Sequence, residues 1–279
     1  MKNINFKNYC IIASLFISAN SYAEEYSLLN PVPEAKLRPM TTERPSKGIS
    51  SYTIDSGHLQ IETSLYSFTK NKDKGLKTTQ KSAFNSTTFR LGTTQDSEIS
   101  LVVTPFIWQK TKTETSRSNV KTYDDVTVRF KKNIFGNDAN DGRSLAIMPH
   151  LKIPTGGNDL GNNSYEGGVT SHYDHKLNDD YSFSYLFDIS AVKKTDNSSY
   201  LASFSNVFGI SKSITSKISS YFEFASFKTA KRGESAQNYL DFGSVYQVSK
   251  NLTIDIVTNF GISNSADDFN FITGFAYRF

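Results

Sequence analysis

The chain has 279 residues, with 21% charged, 13% aromatic and a formal net charge of +4, at a mean hydropathy of −0.43. A membrane-spanning helix needs about 20 consecutive apolar residues. Beyond the N-terminus the longest apolar stretch, Leu101 to Trp108, is broken by Thr104 and Pro105, which excludes a helical membrane protein. The 21 Phe and 15 Tyr exclude a solvated coil, because disordered chains are poor in aromatics.

The first element is a targeting segment. Lys2 and Lys7 precede an apolar run from Cys10 to Ala19, and Ser21-Tyr22-Ala23 places small residues where a signal peptidase reads them. Residues 1–23 are therefore predicted to be a signal peptide cleaved after Ala23. Cleavage removes Cys10, the only cysteine, and lowers the formal charge to +2. A cysteine-based active site, a cysteine zinc site and a disulfide are thereby excluded. Residues 24–56 show no alternation and carry Pro31, Pro33, Pro39 and Pro45. They read as a periplasmic leader, either mobile or tucked as a plug into the remainder of the chain.

From Gly57 to Phe279 the dominant period is two. In Tyr181 to Ala191 the odd positions Tyr181, Phe183, Tyr185, Phe187, Ile189 and Ala191 are apolar or aromatic, while Ser182, Ser184, Asp188 and Ser190 alternate with them. Successive strand side chains point to opposite faces, so such a strand has one apolar and one polar face. Twelve such segments are predicted, at 58–69, 81–92, 97–109, 121–134, 143–153, 165–176, 181–192, 199–211, 217–228, 237–248, 252–261 and 269–279. Soluble strands run about five or six residues, whereas spanning strands need about 9–11. The pattern predicts an all-β chain: a transmembrane antiparallel β-barrel of about twelve strands over residues 57–279.

The connections alternate between long polar loops, as at 71–80 and 111–119, and short turns, as at 93–96, 177–180 and 249–251. Short turns mark the periplasmic side and long loops the outside. The turn at 135–142 is longer than that pattern asks for. The predicted outer loops with their flanks sum to +7 against +2 for the mature chain. Two prolines strain the strands: Pro105 and Pro149 each remove a ladder hydrogen bond and require bulges or rim positions. Lys131 and Lys132 fall on opposite faces, so the segment 121–134 is expected to end near Phe130, with Lys132 at the water interface.

With the apolar parity turned outward, the inward set holds Glu62, Arg90, Glu98, Asp125, Arg129, Lys131, His150, Lys152, Glu166, His172, Asp174, Asp188, Glu223, Asp241, Asp255 and Arg278. Charges of both signs suit an aqueous or a salt-bridged lumen. Twelve strands lie between the filled eight-stranded barrel and the open sixteen-stranded channel. Of this set, Glu62, Arg90, Arg129, His150, His172, Asp188 and Asp241 are the lumen-lining candidates. The chain ends Phe275-Ala-Tyr-Arg-Phe279. Many bacterial outer-membrane barrels end in Phe after an aromatic-alternating strand, and Phe279 is the candidate assembly signal.

Two stretches carry a family resemblance. Glu43-Arg44-Pro45 followed by Ser50, Ser51, Thr53-Ile54 and Gly57-His58-Leu59-Gln60-Ile61-Glu62 resembles the opening signature of the outer-membrane family named for the MetA pathway of phenol degradation. Pro149-His-Leu-Lys-Ile-Pro-Thr-Gly156 resembles that family's Pro-x-Leu-x-Leu-Pro-Thr-Gly strand end, with Ile153 in place of Leu; in the first stretch Glu43 stands in place of Asp. The resemblance implies a transporter-like outer-membrane barrel of a Gram-negative bacterium, passing small, hydrophobic or aromatic compounds.

The chemistry-bearing residues do not form an enzyme's pattern. None of His58, His150, His172 or His175 opens the His-x-x-Gly-x-Ser run of outer-membrane lipases. His172 and His175, three apart on a strand, face opposite ways and cannot share a metal. The expectation is a passive channel or transporter with no metal and no cofactor. The alternatives are a structural or adhesive barrel acting through its basic outer loops and, third, an outer-membrane lipid hydrolase. Expected partners are outer-membrane lipid and lipopolysaccharide, the barrel assembly machinery and an unidentified small solute, with no nucleic acid.

Overall fold

The computed structural model describes residues 26–73, 76–138, 141–157, 163–194 and 199–279. The predicted signal peptide and its cleavage site at Ala23 lie outside these residues. Among the described residues the regular structure is β apart from one 3-10 turn at Glu34–Lys36, and the rest of the leader is irregular. It contains fourteen strand segments: β1 Leu59–Asp73, β2 Lys77–Thr94, β3 Ser97–Val103, β4 Phe106–Thr113, β5 Arg117–Thr122, β6 Val126–Phe135, β7 Arg143–Ile153, β8 Glu166–Lys176, β9 Tyr181–Lys193, β10 Tyr200–Ser213, β11 Ile218–Thr229, β12 Gln237–Ser249, β13 Leu252–Gly261 and β14 Phe269–Arg278. All pairings are antiparallel, and β1 pairs with both β14 and β2. The ring therefore closes as a twelve-stranded barrel.

Fourteen segments make twelve staves because two staves are broken. Pro105 falls between β3 and β4, and the two halves pair with different stretches of β2: β3 with Thr87–Thr94, β4 with Lys77–Phe84. A residue with no N–H and a fixed φ ends the ladder there instead of bulging it. The return stave is broken at 123–125 into β5 and β6. β5 pairs only with β4 among the described residues, so its other edge is unpaired. Pro149 stays within β7, but the ladder with β6 stops at Arg129↔His150 and resumes at Lys132↔Ile147. β6 does not end near Phe130 as expected; it runs on to Phe135. The two lysines are accommodated by parity, Lys131 buried inside and Lys132 outside against Asp96 at 2.6 Å.

Alternation decides which face each side chain takes. Leu186, Val207 and Ala276 point inward and are buried, while Ile189, Phe208, Phe222, Phe242 and Phe260 are exposed on the outer wall. On β1 a bulge at Leu65 shifts the parity. Gln60 and Glu62 below it are buried, whereas above it Ser67 and Thr69 line an internal cavity. Asn85, at φ 54°, makes the matching irregularity on β2.

Candidate functional site

The inner wall carries a charged network. Arg90, fully buried, donates to both carboxylate oxygens of Glu98 at 2.9 Å and to Glu62 at 2.8 Å. This planar fork-to-carboxylate match is what guanidinium offers and ammonium does not. Lys131 lies 3.3 Å from Glu98. β2, β3 and β6 thus form a cationic sector held by internal carboxylates. Across the barrel Glu223, Asp241 and Asp255 on β11, β12 and β13 form an acidic sector.

The leader bridges the two sectors. Its loop 39–54 leaves a neck in which Arg38 Nε donates to Asp55 Oδ1 at 2.6 Å. Arg278 completes the neck, donating to the Arg38 carbonyl at 2.9 Å and to Asp55 at 3.3 Å. Inside, Glu43 turns to the cationic sector, with Lys131 at 2.5 Å and Arg129 at 3.2 Å. The loop's cations turn to the acidic sector. Arg44 makes a two-point contact with Asp255 at 2.9 and 3.2 Å, and Lys47 reaches Asp241 at 2.9 Å. Ser46 donates to Glu223, which also accepts the Lys47 amide at 3.2 Å. Ile49 packs against the buried cluster of Leu186, Val207, Ala225, Tyr239 and Ala266.

Backbone groups of the loop, which have no ladder of their own, are satisfied by wall side chains. Glu62 accepts the amides of Glu43 and Arg44 at 3.0 and 3.1 Å, and Glu98 accepts that of Ile54 at 2.8 Å. Asp174 accepts the Ser51 amide at 3.0 Å. The turn after β6 also reaches the loop through Asn137. Asn137 accepts from the Thr53 amide at 2.9 Å and donates to the Thr53 hydroxyl at 2.7 Å, and its carbonyl accepts from Arg38 at 2.5 Å. Gly274 faces inward beneath Arg44; a Cβ there would lie 2.5 Å from the guanidinium and 1.9 Å from the Thr63 carbonyl. Only glycine allows this approach.

Beyond the loop lie two cavities. One of about 330 Å³ is lined by the charged or polar Arg129, His150 and Lys152 and the apolar Met148, Leu186 and Phe227. The other, about 290 Å³, is lined by β1, β2, β4 and β14 through Ser67, Ala83, Ile107 and Asn270. In the first, Ser190 Oγ lies 3.3 Å from His150 Nε2, and His150 Nδ1 lies 3.7 Å from Asp188. These are the residue types of a nucleophilic triad, but the geometry differs. Ser190 donates its proton to Asp188 at 2.5 Å, leaving the imidazole outside the relay. The strands on either side engage Ser190 through Gly168 and Ser203, so ladder amides are not free to hold an oxyanion.

Of the sequence candidates, Glu62, Arg90, Asp188 and Asp241 are buried on the inner wall, and Arg129 and His150 line the cavity. His172 is buried, 3.8 Å from Asp174, with no hydrogen bond on either ring nitrogen among the described residues. Among those residues no cluster suited to a metal occurs. Glu62, Arg90 and Arg129 meet around the loop; His150 and Asp188 meet in the cavity. Sequence reasoning missed Glu43, Arg44, Ser46 and Lys47, whose partners lie too far along the chain for any local pattern. Glu43 and Arg44 stand in the family's opening signature, which marks the stretch without telling what it touches, and Ser46 and Lys47 have only the leader's mixed charge as a signal. Phe279 ends the closing stave, exposed, with its carbonyl 2.7 Å from His58 Nδ1.

A family model described as "Putative MetA-pathway of phenol degradation" matches residues 42–279. The chain belongs to this family. The match begins at the loop and takes in the whole barrel. Among solved structures, an outer membrane channel from Pseudomonas putida F1 superposes with a TM-score of 0.60 at 10% identity, covering 89% of this chain and 100% of that one. At that identity the likeness speaks for the fold. The NanC porin (TM-score 0.49, 9% identity, 78% of this chain and 98% of that one) and the CymD monoaromatic hydrocarbon channel (0.43, 9%, 79% and 87%) are more distant. No curated protein sequence matches the chain significantly.

Proposed function

We propose that this family member is a gated passive channel of the Gram-negative outer membrane, not an enzyme, with loop 39–54 as the gate. The observation that carries the reading is the division of the loop's charges. Glu43 goes to one sector of the wall, and Arg44 and Lys47 go to the other, so one short segment occupies the lumen from side to side. The cavities beyond it give a solute somewhere to sit. The mixed lining, Met148, Leu186 and Phe227 together with Arg129 and Lys152, suits small solutes with an apolar or aromatic body and a polar group. That the Pseudomonas putida relative is an outer membrane channel supports the reading.

The test is single-channel conductance in planar bilayers before and after deletion of residues 40–53. The neck at Arg38 and Asp55 brings the cut ends together. Low conductance that rises on deletion supports a gated channel. The second reading, a closed structural or adhesive barrel, is favoured by the internal ion pairs around Arg90. It predicts no conductance in either form.

A further inference from the structure

Six cations stand exposed on the outer wall, at the loop end of four neighbouring strands. Beyond the Leu65 bulge, Tyr66, Phe68, Lys70 and Lys72 of β1 take the face opposite the cavity-lining Ser67 and Thr69. Pairing carries that outward face across the sheet. Lys70 aligns through Gln80 with Lys110 and Asn119, and Lys72 through Thr78 with Lys112 and Arg117. One step nearer the membrane centre, Phe68 aligns through Ser82 with Trp108 and Lys121. Lys110 and Lys121 approach the Trp108 ring at 3.8 and 5.9 Å. Below them run the aromatic contacts Tyr66–Phe84 and Phe84–Phe106 at 5.2 and 5.7 Å.

None of Lys70, Lys72, Lys110, Lys112, Arg117 and Lys121 makes an ion pair among the described residues, while cations of the inner wall such as Arg90 and Lys131 do. The acids near by are few. Glu114 sits in the β4–β5 turn, Asp73 takes the inward parity, and Asp268 accepts the Lys72 amide at 2.8 Å. Strands are about 4.8 Å apart, so β1 to β5 spans roughly 15 Å, wide enough for a sugar-phosphate headgroup.

We propose that this face binds a phosphorylated lipid of the outer leaflet. Phosphates would meet the cations at headgroup height, and acyl chains would lie on Tyr66, Phe68, Phe84 and Phe106. An aromatic girdle marks that height in outer-membrane barrels, and a free phosphate could not use the aromatic part of the surface. The proposal rests on the membrane placement and not on the channel reading, so a barrel that conducts nothing leaves it intact.

The experiment adds lipid A to the purified full chain in detergent and follows bound lipid by native mass spectrometry. The comparison variant carries Lys70→Gln, Lys72→Gln, Lys110→Gln and Lys112→Gln; a second carries Lys228→Gln and Lys231→Gln elsewhere on the rim. Heat-modifiable mobility checks that each is folded. We expect the fourfold variant to weaken binding tenfold or more, the rim variant to leave it unchanged, and four Lys→Arg changes to restore it. Equal binding by the fourfold variant would overturn the proposal. So would equal binding of dephosphorylated lipid A, or displacement by equimolar inorganic phosphate, which would assign the face to free phosphate.

Discussion

Glu43 and Lys131 meet at 2.5 Å inside the barrel, one from the leader and the other from β6. Burial pushes the Glu43 carboxyl up, but Lys131, Arg90 and Arg129 outweigh it and hold it at about 2, below the usual 4.5. A carboxyl lowered in the docked state contributes its full stabilisation above pH 4.5 and loses it as the pH falls toward 2. Protection of the leader from protease should therefore persist at neutral pH and decline across that interval. Glu43→Gln should lower protection already at pH 7, since breaking a buried pair costs about 3–5 kcal/mol, and should flatten the pH dependence. An unchanged acid profile in that variant would show that Glu43 does not set it.

Deleting residues 40–53 takes away Arg44 and Lys47 but only one acid, Glu43. Asp241 and Asp255 would then face the lumen without their cations. The open form should prefer cations, and a reversal potential measured in a salt gradient reads this directly. Adding Asp241→Asn and Asp255→Asn to the deletion should abolish the preference. An anion preference in the deletion alone would contradict the sector assignment.

Phe187 faces outward and Ser184 inward on β9, where Ser184 lies opposite Asp174. Phe187→Arg should destabilise the barrel by about 2–4 kcal/mol if it lies near the midplane. Ser184→Arg gains Asp174 as a neighbour and should cost much less. Equal shifts in urea unfolding from lipid vesicles would contradict the wall orientation.

How much of the molecule is legible in its sequence depends on the range of the interaction. Parity is local, so the outward Phe183 and Phe187 and the inward Asp188 and Arg278 can be read from alternation alone. Leu186 and Val207 break the simple rule, being apolar yet inward, because they share a buried cluster with Ala225, Tyr239 and Ala266 against which Ile49 of the leader packs. The break at Pro105 is visible as a proline, but its outcome, two half-strands pairing with different stretches of β2, depends on neighbours. The docking of the leader is the least legible. Arg44 meets Asp255 across 211 positions and Ser46 meets Glu223 across 177, with no period to announce them.

His58 joins three parts of the chain. One ring nitrogen lies 2.7 Å from the Val32 carbonyl and the other 2.7 Å from that of Phe279. Deleting Phe279 should lower outer-membrane yield severalfold while only modestly lowering the urea midpoint of the protein that is recovered. His58→Ala, which keeps the terminal aromatic, should reduce the midpoint with near-normal yield. A normal yield of heat-modifiable protein without Phe279 would dismiss its role in assembly.

The loop runs straight through Asp55 and Gly57 into β1, with the neck closing its other end. A segment tethered so closely meets its own site at an effective concentration on the order of millimolar. On the proposed gating its release and return would be first-order events that dilution cannot shift, and purification could not strip the segment from its barrel. A free peptide copying residues 39–54, added at micromolar strength, would compete poorly with the attached segment. It would find an unhindered berth only in a barrel from which that segment had been removed.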